Sequence, residues 1–185
     1  FHHLISDHVS LEIMMEEAQA YALAQQALLS PPVPYRDFVA HTLSHMQSGE
    51  AEAYFTKQLG DITEPTAPFE LLDVRSDGSE SLEARDELDR EFSQQIRVVA
   101  KQYQVSPATL FHMAWALVVS RCSNREEVVF GTMMSGRLQG VMGSDQIVGM
   151  FLNLLPLRLS LTAEISVESL LQQTHDQLIG LLPYE

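Results

Sequence analysis

Basic residues are scarce: 11 Lys and Arg stand against 25 Asp and Glu, leaving a formal net charge of −14. A field of that sign repels phosphate backbones and anionic lipid heads, so neither nucleic acid nor a membrane surface is expected as a partner. Cysteine is nearly absent. The single Cys122 excludes a disulfide framework and any CxxC metal or redox pattern, which fits a reducing compartment and a cytoplasmic location. There is no apolar run near the roughly 18 residues of a membrane span, and no basic, apolar leader. His41 and His45 are four apart on an expected helix, but no HExxH arrangement or third ligand accompanies them, so they read as surface histidines. A nucleophile elbow would need glycine at Met133, and a P-loop would need Gly-Lys-Ser or Gly-Lys-Thr. Neither is there, so no metal or bound cofactor is expected.

What is present is a globular composition, 45% hydrophobic over 185 residues. The chain opens on Phe1 and stops at Pro183-Tyr184-Glu185, and it is expected to be a fragment of something longer. Ser10 is expected to cap a helix running to about Leu29, before Ser30-Pro31-Pro32-Val33-Pro34 breaks it. Tyr35 to Leu59 is helical in pattern, with a break at Ser48-Gly49. Short strands are expected around Phe69–Val74 and Ser81–Leu88, and a helix carries Phe92, Ile96, Val99 and Tyr103 on one side. Ser106-Pro107 opens a helix that is apolar nearly all round and so is expected to be central and buried, with His112 packed inside it. Val128–Met134 reads as a buried strand. Met150–Leu161 is a second, with Leu155, Leu157, Leu159 and Leu161 on one face, and a last helix capped near Ser166 carries Leu170, Leu171, Thr174, Leu178 and Leu181.

The chemistry lies in the first ten residues. His2 and His3 are adjacent, and Asp7 follows four and five residues later. Neighbours on an extended segment point to opposite faces, so only one histidine can face a given cavity. An imidazole held by a partner can act as a base near neutral pH. Taken alone, an ordinary packed turn is the commoner reading of such a segment.

Three further stretches change that balance. His2-His3-Leu4-Ile5-Ser6-Asp7 resembles the HHxxxDG signature of condensation domains of non-ribosomal peptide synthetases, relatives of chloramphenicol acetyltransferase. Gly131-Thr132-Met133-Met134-Ser135-Gly136-Arg137 resembles the family's later Gly-Thr-x-x-x-Gly-Arg motif. Gly149 to Arg158 is similar to its "IGxFVNTLPLR" strand, and Leu182-Pro183-Tyr184-Glu185 to its "DLPFE" segment. The four occur in the family's order and cover essentially the whole chain.

The resemblance implies an α/β (α+β) fold, a chloramphenicol acetyltransferase-like sandwich with helices packed on a mixed sheet. Residues 1–30 would end the N-terminal subdomain, and 31–185 would form most of the C-terminal one, incomplete at its end. It also implies a tunnel that admits phosphopantetheine arms from donor and acceptor carrier proteins beside an adenylation domain, and catalysis of amide formation. Carried over by position, His3 would orient or deprotonate the acceptor amine, His2 would shape the loop, and Asp7 would pair with Arg137. Gly136 and Asn153 would support the site. His8 stands where the family has glycine, which is expected to restrict a tight turn. Intact histidines disfavour a heterocyclising subtype, and the Asn-Leu-Leu-Pro-Leu-Arg stretch favours ordinary condensation over epimerisation. An acyltransferase making esters, and a non-catalytic module recruiting a partner protein, are the alternatives. Apolar surface left uncovered by the missing half leads to an expectation of self-association.

Overall fold

The computed structural model describes residues 2, 4–72, 82–137 and 143–185. Helices α1 (His8–Ala22), α2 (Tyr35–Met46) and α3 (Glu50–Leu59) come first, followed by α4 (Arg90–Gln102) and α5 (Pro107–Ser123). Strands β1 (Glu127–Ser135) and β2 (Leu152–Ser160) and helix α6 (Val167–Leu181) complete the order. Residues 1–61, 131–155 and 181–185 form one compact unit, and 62–130 with 156–180 form a second.

Local chemistry sets most boundaries. Asp7 is extended (φ −107°, ψ −178°) and its carboxylate accepts from the Ser10 backbone N–H, so Asp7 and not Ser10 caps α1. That cap starts α1 earlier than a cap at Ser10 would. The helix also stops earlier, at Ala22, because Ala24 turns left-handed (φ 56°) and the Gln25 N–H closes back on the Ala20 carbonyl. Gly49 (φ 75°) separates α2 from α3 where the sequence predicts a break. Ser106 caps α5 through the Thr109 N–H, with Pro107 in the first turn.

The sheet is two-stranded, β1 beside β2, among the described residues. Gly136 N donates to Phe151 O and Leu161 N to Glu126 O; as one chain number rises its partner falls, so the pair is antiparallel, and the expected mixed sheet is not formed here. Along β2 and just beyond it, Leu155, Leu157, Leu159 and Leu161 are all buried, as the alternation requires. In α6, Leu170, Leu171, Thr174 and Leu181 are buried. Within the second unit α5 packs on α4 and on the turn at Pro68–Glu70.

Three expectations change. Residues 71–72 and 82–88 form no strand, and Pro68–Glu70 is a single helical turn; residues 73, 74 and 81 of the two expected strands lie outside the described residues. In 82–88 the charged Glu83, Arg85, Asp86 and Glu87 interrupt the apolar positions Leu82, Ala84 and Leu88, and Leu82 is almost fully exposed, so this stretch offers little apolar face to bury in a sheet. Helix α5 buries only Thr109, Ala116 and Val119, leaving Phe111 and Trp115 more than half exposed. Apolar residues all round a helix report how much surface would gain from cover; they do not supply the cover. His112 is half-buried, its Nδ1 2.7 Å from the Ala108 carbonyl and its ring 6.5 Å from that of Phe130.

Candidate active site

Asp7 is the centre of a buried polar cluster in the first unit. Its capping position points the carboxylate along the start of α1, where Ser10 N and Ser10 Oγ donate to Oδ1 at 2.9 and 2.8 Å. The other side of the carboxylate meets Arg137, just past the end of β1. Arg137 Nε donates to Oδ2 at 3.1 Å, while Nη2 lies 2.8 Å from Oδ1 and 2.9 Å from Oδ2. This is the two-pronged geometry that a planar guanidinium allows and an ammonium does not. The side chains are 7% and 2% exposed, so the ion pair is shielded from solvent.

Arg137 has donors to spare. Its Nη1 donates to the carbonyls of Ser144 (2.6 Å) and Ile147 (3.0 Å), and Ser144 Oγ returns a bond to the Arg137 carbonyl (2.6 Å). The Phe151 ring lies under the guanidinium, 4.0 Å from Cζ to the ring centroid. Phe38 and Tyr35 pack on Phe151 with centroids 4.3 and 5.5 Å away. Tyr35 Oη donates to the Met150 carbonyl at 2.5 Å. One side chain therefore fastens residues 144–151 to the beginning of α1.

Burial by itself raises the Asp7 carboxyl pKa. The hydrogen bonds from Arg137 and Ser10 and the guanidinium charge outweigh it, and the carboxyl is held below its ordinary value. Burial pushes the Tyr35 phenol up, helped by the Asp7 charge and opposed by Arg137.

Two glycines are fixed by close approach. A Cβ on Gly149 would enter the Tyr35 ring, and one on Gly136 would sit 3.0 Å from the Phe151 carbonyl oxygen and 3.3 Å from Phe38 Cζ. Gly149→Ala is expected to displace Tyr35 from Met150 and to cost about 1–3 kcal/mol, the range for overpacking a filled interior. Urea unfolding together with the Tyr35 fluorescence or ring NMR signal checks it; a change under about 0.5 kcal/mol, ordinary for a surface site, would show that the ring is not fixed.

The remaining site residues fall as follows. His2 is exposed, its carbonyl accepting from Ile5 N (3.1 Å) and its Nδ1 from Leu4 N (3.1 Å), which leaves Nε2 to carry the proton of the neutral ring. His3 lies outside the described residues. Asn153 is exposed on β2, its Oδ1 accepting from Leu154 N at 2.9 Å, and it takes no part in the Asp7–Arg137 bonds. His8 is the first residue of α1 and is not among the residues of positive φ. The backbone there is ordinary helix, so the expected restriction from losing glycine does not arise. The His41 and His45 rings are tilted by 33° with centroids 6.0 Å apart, and no cluster of three or more metal-ligating groups occurs among the described residues. No helix of the described residues is long and apolar enough to cross a membrane.

Ser10, Ser144 and Ile147 join the site outside the stretches that carry the resemblance, while Gly149 opens one of them. The signal for Ser10 is its three-residue spacing from Asp7, an equally good cap, which turns Ser10 from a cap into a residue of the first turn.

The family model described as Condensation domain matches residues 1–185. The chain belongs to that family. Malpinin synthetase of Mortierella alpina is 40% identical over 184 residues, covering all of this condensation-domain chain and 2% of that protein. Tyrocidine synthase 3 of Brevibacillus parabrevis is 27% identical over 192 residues, again covering all of this chain and 3% of that protein. Among solved structures, the first condensation domain of the CDA synthetase gives a TM-score of 0.74 at 20% identity, over 98% of this chain and 41% of that one. The epimerization domain from the third module of tyrocidine synthetase B gives 0.77 at 20%, over 100% and 44%. The fold is thus the chloramphenicol acetyltransferase-like α+β fold, and this chain spans less than half of each solved domain.

Proposed function

We propose that this chain is part of a condensation domain of a peptide synthetase, which joins a carrier-bound acyl or peptidyl thioester to a carrier-bound aminoacyl group. The amine nitrogen attacks the thioester carbonyl, a C–N bond forms as the C–S bond breaks, and the thiol leaves with the proton the amine gives up. His3 takes that proton or aims the amine, with His2 shaping the segment; proximity within the site supplies part of the rate. Asp7 and Arg137 hold the framework. The substrates arrive on phosphopantetheine arms of donor and acceptor carrier proteins, with an adenylation domain as neighbour.

The observation that supports this reading is the buried, two-pronged Asp7–Arg137 pair, which joins the His-His-x-x-x-Asp segment to the Gly-Thr-x-x-x-Gly-Arg segment 130 positions away. Histidines retained at both positions argue against a module that only recruits partners. The test uses the complete condensation domain with donor and acceptor carrier proteins, the acceptor loaded with matched amine and alcohol groups. An amide product, with the alcohol turned over at least about a hundredfold more slowly, is expected where the site is tuned to one acceptor. Ester as the main product would overturn the reading in favour of an ester-forming acyltransferase, and no product with either acceptor would overturn both.

A further inference from the structure

Ser10 is fully buried, and its hydroxyl has four polar neighbours. Its one proton has two acceptors at 2.8 Å, Asp7 Oδ1 and the Gly149 carbonyl. Its lone pairs face Gly149 N–H at 3.0 Å and Arg137 Nη2 at 3.2 Å. A hydroxyl offers one donor and two acceptor positions, so this one is used to capacity. It is bonded to both backbone groups of Gly149, to the capping carboxylate and to the guanidinium that binds that carboxylate. Alanine would leave the Gly149 N–H and carbonyl without this partner, and cysteine would fill the space with a weak donor and acceptor.

The neighbourhood limits what else could do this. Gly149 has no side chain, and the Tyr35 ring occupies the place where one would stand. Arg137 reaches the same segment at Ser144 and Ile147, not at residue 149. Tyr35 holds the next residue, Met150, from another direction.

We propose that Ser10 is a positioning residue of the acyl-transfer site, its hydroxyl latching Gly149 to the Asp7–Arg137 pair and so holding the start of α1, which follows closely on His3. This rests on the condensation reading above. Ser10 touches no reacting atom; it acts through Asp7 and the Gly149 backbone.

In the complete domain, Ser10→Ala and Ser10→Cys are each expected to lower kcat about tenfold, a modest share of what misplacing a site by an ångström costs. KM for the acceptor carrier is expected to stay within about twofold, the pattern of an interaction that matters in the transition state and not in binding. Ser10→Thr, which keeps the hydroxyl, is expected to recover most of the rate. Amide hydrogen exchange at Gly149 should quicken in the Ala and Cys variants and not in Thr. A kcat loss in Ser10→Ala that Ser10→Cys does not share would assign the effect to packing volume and overturn the proposal. So would a loss confined to KM or to the folded fraction, or unchanged exchange at Gly149. A wild-type domain that forms no amide overturns the functional reading and with it the catalytic role, while faster exchange at Gly149 would still support the latch.

Discussion

Arg137→Ala in the complete domain is expected to lower stability by about 3–5 kcal/mol, the cost of leaving a buried carboxylate without its partner. Asp7 sits almost wholly out of solvent, and the variant removes three bonds to its oxygens at once. The Ser144 and Ile147 carbonyls lose their donor as well. Neutralising both members of the pair should do less harm than removing one: Asp7→Asn/Arg137→Met keeps the cap on α1 and buries no unpaired charge. Urea unfolding of the two variants beside the wild type decides this, and a single variant no worse than the double would show that the pair is not desolvated as described.

The same pair fixes the sign of the acid response. A carboxyl held below its ordinary value in the fold adds stability that is complete above the ordinary carboxylate range and is lost as pH falls through the lowered folded value. In Arg137→Ala burial is left without its main opponent, so the Asp7 carboxyl should rise instead. The gap between wild type and variant is therefore largest near neutrality and narrows toward about pH 3. A gap that stays constant over that acid range would place the loss in packing and not in charge.

The second large effect concerns turnover. His3→Ala in the complete domain is expected to reduce amide formation by roughly 10²- to 10⁴-fold, the range for losing a positioned general base, with unfolding unchanged. The lower end would mark His3 as an aiming group, since the amine would retain the benefit of being held near the thioester. His2→Ala should do less, because the His2 ring is exposed and bonded to its own loop. Quenched-flow product formation from preloaded carriers measures both. Near-normal product from His3→Ala would sink the assignment of the chemistry to that residue.

Much of this is legible in the residues. Asp7 and Arg137 can be paired on the resemblance alone, and Ser106-Pro107 announces a helix start because proline loses nothing in a first turn. The face of Leu155, Leu157, Leu159 and Leu161 follows from alternation. Other features have no local signal. Helix α1 ends through Ala24 in a left-handed conformation, which alanine does not advertise as glycine would. The exposure of Phe111 and Trp115 depends on what lies against α5, a question of tertiary surroundings that periodicity cannot reach. Ser10 reads as the cap because Asp and Ser compete equally for that position. Its bonds to Gly149 link positions 139 apart, beyond the range of any spacing rule.

That separation has a consequence during synthesis. Asp7 and Arg137 are 130 residues apart, and ribosomes add roughly 5–20 residues each second. For roughly 7 to 26 s the capping carboxylate exists with no guanidinium to meet it. Through that interval the cap on α1 has its bonds to Ser10 but not those to Arg137, and its neighbours Leu4 and Ile5 are exposed. The His-His-x-x-x-Asp segment is made ahead of Arg137 and is fastened to it only once that residue has emerged.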